Sequence, residues 1–276
     1  SSPATFAITI RTMTSTISDC PGSSLADAGE FLAEYTAWLL GCGATCIRIE
    51  KNVGRIAAAW GLHCDLTVMP RQITIVLSGG AENCSERIFT SRIKPCGINF
   101  DINSNLSRLS WNVADRRLSV SRAAELLHGA VSRRYCNTLT GLMLVSLANA
   151  SFCRLFGGDA IAMLIVFIST LAGYRLKQIM LADKRDVRLT FLCASFFSAA
   201  ISAGGHVFGI GSTPEIALGT SVLYLIPGVP YINAVSDMID RHYLCAFSRF
   251  ADAVVLTACL SAGLCGGMLV LGLRWF

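Results

Sequence analysis

The sequence predicts a membrane α-helical protein in which five transmembrane helices follow a cytoplasmic α+β domain. Three observations carry this. From Asn137 to Phe276 the chain reads as five closely spaced apolar spans, each near the roughly 20 residues a helix needs to cross a bilayer core. Charge is unevenly spread: residues 1–136 hold 14 of the 23 Lys and Arg and 11 of the 18 Asp and Glu, while the rest cluster between the apolar runs. Within the first half the hydrophobic period switches from helical to alternating, which marks strands as well as helices.

Residues 1–23 read as a Ser/Thr-rich flexible leader, with no apolar core ahead of a small-residue cleavage site, so no signal peptide is expected. Ser24-Leu-Ala-Asp27 opens an apolar-periodic run through Leu40 that predicts a first helix, stopped at Gly41–Gly43. A second helix covers about Ala44–Trp60, with Ile47, Val53, Ile56 and Ala57 for its buried face, and Gly61 ends it. The period then becomes two. Leu62–Met69, Arg71–Ser78 and Glu86–Ile93 are rich in Val, Ile and Thr and predict strands, with Gly79–Gly80 as a turn signal. Two helices, about Asp101–Asp115 and Ser119–Ala130, close a domain over residues 24–136 that is large enough to bury one core.

Residues 137–276 form the five-span domain. The spans are Asn137–Phe156, Asp159–Leu176, about Leu189–Phe208, about Glu215–Ile239 and about Phe250–Leu273. Basic residues sit before the first span (Arg116, Arg117, Arg122, Arg133, Arg134), between the second and third (Arg175, Lys177, Lys184, Arg185, Arg188) and between the fourth and fifth (Arg241, Arg249). The opposite loops, Gly157–Gly158 and Gly209–Pro214, carry none. The positive-inside rule then puts the N-terminal domain in the cytoplasm and the C-terminus outside.

No G-x-S-x-G, P-loop or H-E-x-x-H occurs in the first domain, and its acids Asp27, Glu30, Glu34, Glu50 and Asp65 fall mostly at solvent positions, so no catalytic residue is expected. Arg48, Lys51 and Arg55 share one helical face, which reads as a solvated face; a mouth that gathers small anions is the lesser alternative. Ser78-Gly79-Gly80 reads as a hairpin turn before an anion-binding one. Of the twelve cysteines, Cys42 and Cys46 are spaced C-x₃-C, but no matching pair follows and His63–Cys64 stands alone. Cys153, Cys193, Cys245, Cys259 and Cys265 lie in or beside apolar spans, where thiols pack as small hydrophobes. No metal, disulfide or cofactor is expected.

The candidate site lies in Leu225-Ile-Pro-Gly-Val-Pro-Tyr-Ile-Asn-Ala-Val-Ser-Asp237. Pro227 and Pro230 remove two backbone donors inside an apolar span and Gly228 loosens what remains. Discontinuous membrane helices of this kind commonly hold a transporter's binding site. Asn233 and Asp237, four residues apart, share one face of the resumed helix, and Asp252 opens the next span. A carboxylate on a membrane helix is costly and so points to substrate binding or ion coupling. The simpler alternative is a kink for packing, with Asp237 surfacing at a helix end.

The Pro227–Asp237 run resembles the threonine/serine exporter (ThrE-like) family. So do Gly97-Ile-Asn99, Phe156-Gly-Gly158, Arg249-Phe-Ala-Asp252 and the ending Leu271-Gly-Leu-Arg-Trp275, the last suited to the YjjP-like branch. The resemblance covers about residues 24–276. It implies the larger subunit of a two-component secondary exporter in a bacterial inner membrane, so that the outer side, where the C-terminus lies, is the periplasm. Fused family members carry a second group of spans, which a separate small multi-span subunit supplies in this branch. The branch implies a dicarboxylate such as succinate as substrate, and the family name implies threonine or serine. Coupling would be to an ion gradient, most simply protons through Asp237 or Asp252. The rivals are a membrane-anchored regulatory or hydrolytic module and a channel. The small-residue faces Ala199–Gly205 and Ser261–Gly267 are expected to pack against the partner or a second copy. A lipid bilayer and a small carboxylate complete the expected partners, and no nucleic acid is among them.

Overall fold

The computed structural model describes residues 25–79, 86–94, 96–132 and 137–272. The expected leader, Gly80 of the turn signal, Arg133, Arg134 and the Arg274–Trp275 ending lie outside the described residues. In the first half, α1 (Leu25–Gly41) and α2 (Cys46–Ala59) precede a three-stranded antiparallel sheet, β1 (Leu62–Val68), β2 (Gln72–Gly79) and β3 (Arg87–Arg92), in the order β1-β2-β3. Two helices, α3 (Phe100–Arg116) and α4 (Val120–Ser132), follow.

The helix α1 is buried on nearly every side because it lies between the sheet and the other three helices. The central strand turns Ile73, Ile75 and Leu77 onto it, in keeping with a period of two. Gly29 is required there: a Cβ would stand 2.1 Å from the Phe89 ring of β3. The Tyr35 hydroxyl donates to the Leu106 carbonyl at 2.8 Å, tying α1 to α3, and burial raises its pKa. On α2 the buried positions are Cys46, Ile49, Asn52, Val53, Ile56 and Ala57. Ile47, expected on that face, is only half-buried, because the helical repeat from Val53 and Ile56 runs back through Ile49. The basic face of α2 is not simply solvated. Arg48 donates to Asn103 at 3.2 Å, Arg55 donates to Ser110 and lies 3.7 Å above the Trp111 ring, and only Lys51 points freely outward. These contacts bind α2 to α3 and leave Arg48 and Arg55 occupied.

The second half contains α5 (Thr138–Leu155), α6 (Ala160–Ala182), α7 (Val187–Val207), α8 (Pro214–Thr220), a 3₁₀ turn (Leu223–Leu225), α9 (Gly228–Ile239) and α10 (Tyr243–Val270). Among the described residues, α5, α6, α7 and α10 are long and apolar enough to cross a membrane. The pair Pro214–Leu225 and Gly228–Ile239 makes a fifth if its two arms, bent by 57°, count as one span. Asp159, the N-cap of α6, accepts from the backbone N–H groups of Ala162 and Ser212 and from the hydroxyls of Ser212 and Thr213. These bonds hold its pKa down to about 2 and fasten the start of α8 to the start of α6. Gln178, near the other end of α6, donates to the Thr138 carbonyl at the start of α5. The helices α5 and α6 therefore run in opposite directions, and the bent pair starts at the end of the bundle where α6 starts.

Small residues set the packing. A Cβ on Gly263 of α10 would meet Ser195 Oγ of α7 at 1.9 Å, and one on Gly173 of α6 would meet Ser198 Oγ at 2.0 Å and the Tyr224 hydroxyl at 2.2 Å. The faces Ala199–Gly205 and Ser261–Gly267 are used in this way within the chain: Gly267 lies on Phe196 and Ala199, and Gly205 on Ile165. Their buried positions are spent within the chain, because the small side chains of α7 let α6 and α10 approach it, while Ser261, Ala262 and Cys265 of the second face stay exposed. Lipid-sized residues face outward instead, among them Leu144, Leu147, Leu164, Ile168 and Leu269.

Two boundaries differ from expectation. The helix α6 continues to Ala182, so Arg175 and Lys177 belong to the helix and not to a loop; the Lys177 ammonium lies 4.8 Å above the Phe191 ring. The helix α10 begins at Tyr243, so Arg249 lies in its second turn. An apolar-window reading starts the span only where polarity falls, whereas the first turns of α10 touch the first domain through Cys245 and Arg249.

A clasp between the head and the broken helix

The loop between α1 and α2 is built to present backbone groups. Ala44 N–H donates to the Leu39 carbonyl at 3.0 Å and Gly43 N–H to the Leu40 carbonyl at 3.2 Å, the paired bonds of a Schellman ending. Gly43 holds φ +86°, which a side chain would strain. The turn leaves the carbonyls of Gly43 and Ala44 exposed to a partner, and the following helix begins with no side-chain cap from Thr45. The first N–H groups of α2 thus need acceptors from elsewhere. On the far side Asn99 holds the loop: its N–H donates to the Cys42 carbonyl at 3.0 Å, and its side chain caps α3 through Asp101 and Ile102.

The membrane helices supply the missing partners. Prolines 227 and 230 do not interrupt a running helix so much as start a new one. Pro227 is the N-cap of α9 and Pro230 lies in its first turn, where a donor would have no intrahelical acceptor. From α9, Asn233 Nδ2 donates to the Gly43 carbonyl at 2.8 Å, and Asp237 Oδ1 accepts the Cys46 backbone N–H at 2.8 Å. From α10, Arg249 Nη2 donates to the Ala44 carbonyl at 2.7 Å. Its Nη1 stands 3.2 Å from Asp237 Oδ2, near enough to pair but not aligned as a hydrogen bond. His242 Nε2 and Glu50 Oε1 meet at 3.2 Å at the edge of the same contact.

Asp237 is fully buried. A buried carboxylate persists where opposite charge and donors surround it, and here those are a guanidinium and the positive end of α2. It lies in the last turn of α9, at a helix end as the simpler alternative had it, but is covered by the first domain instead of surfacing. The Cys46 thiol is held protonated, first by its hydrogen bond with the Cys245 thiol, then by burial and by the Asp237 charge. Cys42, buried in the same loop, has its pKa pushed up to about 12, chiefly by burial.

Beside the clasp is a cavity of about 230 Å³. Pro230, Asn233, Cys245, Ser248, Arg249 and Asp252 line its membrane side, and Gly41, Gly43, Pro70, Gly97 and Ile98 are among those that close it from the first domain. Of the residues singled out in the sequence, Pro230, Asn233 and Asp252 line the cavity; Asp237 does not, but pairs with Arg249, which does, and Pro227 and Gly228 form the break without lining it. In the sequence Arg249 reads only as a loop charge and as part of the Arg249-Phe-Ala-Asp252 motif. A signal for it was present: Cys245, Arg249 and Asp252 recur at helical spacing, so one face of α10 looks into the cavity.

A second polar region runs through the bundle. Asn149 donates to Thr170 Oγ1 at 2.6 Å and to the Thr220 carbonyl at 3.1 Å, and the Tyr224 hydroxyl is 2.9 Å from Ser198 Oγ. Asn149 and Tyr224 also line a cavity of about 340 Å³ on the flank of the bundle, with Val145, Ala148, Phe152, Phe156 and Leu223.

Residues 30–271 match the family model described as "Putative threonine/serine exporter", ThrE. The chain is 25% identical over 238 residues to the "Probable succinate transporter subunit YjjP" of Klebsiella aerogenes, covering 86% of this chain and 91% of that protein. To the protein of the same description in Escherichia coli K12 it is 33% identical over 144 residues, 51% of this chain and 55% of that one. No solved structure matches. With the broken helix, its Pro-Gly run and a family match across nearly all of its length, the chain belongs to the ThrE family of exporters.

Proposed function

We propose that this chain is the larger subunit of a two-component secondary exporter of small carboxylates, with a dicarboxylate such as succinate as substrate, in a bacterial inner membrane. It is a transporter subunit and performs no covalent chemistry. The observation that carries the reading is the broken helix, whose resumed arm sets Asn233 and Asp237 against the first domain beside a 230 Å³ cavity. A site at a helix break between two packed bodies is where alternating access operates. The names of the two relatives favour succinate over threonine or serine.

In this reading the first domain is cytoplasmic and closes the inner mouth of the pathway, and the bent pair crosses the membrane as one span. Asp252 is the better carrier of a coupling proton, since it lines the cavity while Asp237 is committed to Arg249. The flank cavity, lined mostly by apolar side chains on the outside of the bundle, is a place where a helix of the partner subunit could pack. A membrane-anchored regulatory module has less support, because an anchor needs neither a broken helix nor a buried ion pair beside a cavity.

The test is efflux from cells lacking this chain, with succinate and threonine both followed. Loss of succinate efflux, restored only when the chain and the small subunit are both supplied, is the expected result. Normal succinate efflux with impaired threonine efflux would replace the substrate, and normal efflux of both would overturn the exporter.

A further inference from the structure

We propose that Arg249 is the anchor for a carboxylate of the transported substrate and that Asp237 is its resident stand-in, so that substrate entry and the closed clasp compete for one guanidinium. The inference rests on the small-carboxylate reading above and names the residue that would recognise that chemistry.

Three observations support it. First, a carboxylate held by a guanidinium and a helix N-terminus is the arrangement expected of an anion site. Here that site is filled from within the chain: Asp237 occupies it through the Cys46 N–H and Arg249. Second, the occupation is imperfect. Asp237 Oδ2 and Arg249 Nη1 are both buried and face each other at 3.2 Å, yet neither makes a hydrogen bond. The guanidinium fork therefore retains a donor that a better-placed carboxylate would take. Third, Arg249 also lines the 230 Å³ cavity, which Asn233 and Ser248 share and Asp237 does not line.

Competition follows from the geometry. A solute carboxylate that pairs with Arg249 takes the cation that faces the buried Asp237. The same movement draws Arg249 away from the Ala44 carbonyl at 2.7 Å, the bond that fastens the loop to α10. Entry of substrate thus loosens the head, and departure of substrate lets Asp237 return. Asp252, exposed on the cavity wall, lies one turn beyond Arg249 on the same helix and opposes a second anion there unless it is protonated.

The test is succinate and threonine binding to the full-length purified chain in lipid nanodiscs, by calorimetry and ligand-induced thermal stabilisation. Wild type is compared with Asp237→Asn, Arg249→Gln, Arg249→Lys and the double variant Asp237→Asn/Arg249→Gln. Asn keeps the acceptor for Cys46 but frees the guanidinium, so Asp237→Asn is expected to bind succinate about tenfold more tightly, the size of one charge-assisted contact. Arg249→Gln is expected to lose at least about tenfold, and Arg249→Lys to retain part of the affinity. The double variant removes both charges, so no buried ion is left alone. It is expected to keep the ligand-free thermal midpoint of the wild type and still fail to bind. This separates a lost site from a lost fold.

Loss of binding in Asp237→Asn would make Asp237 itself the ligand and overturn the stand-in. Undiminished binding in the double variant would remove Arg249 as the anchor. If wild type takes threonine and not succinate with the same order of variants, the anchor stands and the dicarboxylate reading falls; if it takes neither, the anchor falls.

Discussion

The Asp237 carboxylate accepts the backbone N–H of Cys46 at 2.8 Å across 191 residues of sequence, so a membrane helix caps a helix of the first domain. Thr45, the residue positioned to cap α2, makes no such bond. The cap from outside couples the two halves: α2 has its N-terminal donor satisfied and the positive end of its dipole neutralised only when α9 is docked.

One consequence is that Cys46 reports on docking. Its thiol is buried and raised in pKa by Cys245, by burial and by Asp237, so it should be nearly inert to maleimide. Asp237→Ala should raise its labelling rate on the order of tenfold or more, by removing the cap and the ion pair together. The measurement is mass spectrometry of the Cys46 peptide over time. Equal rates in wild type and variant would mean that the clasp does not hold the two halves together.

The loop also has a definite pH dependence. The Cys42 pKa is raised, so its contribution to stability is fully present below the ordinary thiol pKa of about 8.5 and is lost as pH rises through that value toward about 12. Thermal midpoints should be flat near neutral pH and should fall in alkali, and Cys42→Ala should flatten the alkaline limb. An unchanged slope in that variant would show that Cys42 does not govern it.

Helix packing in the bundle predicts a contrast between two glycines. A Cβ at Gly263 meets Ser195 Oγ at 1.9 Å and the Leu192 carbonyl at 2.4 Å, whereas one at Gly204 meets nothing within 4 Å. Gly263→Ala should cost about 1–3 kcal/mol through forced separation of α7 and α10. Gly204→Ala should be neutral or stabilising by up to about 1 kcal/mol through helix propensity. Denaturation in mixed micelles compares them. The reverse order would indicate that α7 and α10 are not in contact in the folded protein.

Much of the architecture was legible from periodicity. The three strands, the four helices of the first domain and the apolar runs stand within a few residues of the expected places, because each rests on a local signal: alternation in Arg71–Ser78, a glycine stop at Gly61, a proline pair at Pro227 and Pro230. Asn233 and Asp237 were legible as a pair because four residues make one helical turn. What they touch was not. Their partners Gly43 and Cys46 are backbone groups almost two hundred residues away, and a backbone N–H or carbonyl leaves no mark in the sequence. Arg249 was misplaced for a related reason: a cation in an apolar window reads as a loop, although burial against a carboxylate and a carbonyl lets it sit in a helix. Ala199–Gly205 looked outward for the same lack of tertiary information, since small residues permit close packing without saying against which helix.

Orientation is tested by fusing a reporter that is active only in the cytoplasm to each end. Activity at the N-terminus and none at Phe276 is expected for five spans with a cytoplasmic head. Activity at both ends would make the bent pair re-entrant and the number of crossings even.

Transport by the purified components decides whether this chain is half of an exporter. Proteoliposomes loaded with labelled succinate would contain this chain alone, the small multi-span subunit alone, or both, with a proton gradient imposed. Efflux from the third set only, abolished there by Asp252→Asn with the complex still assembled, is the predicted result. Efficient efflux from liposomes holding this chain alone would contradict the two-component exporter and leave a homo-oligomeric one in its place.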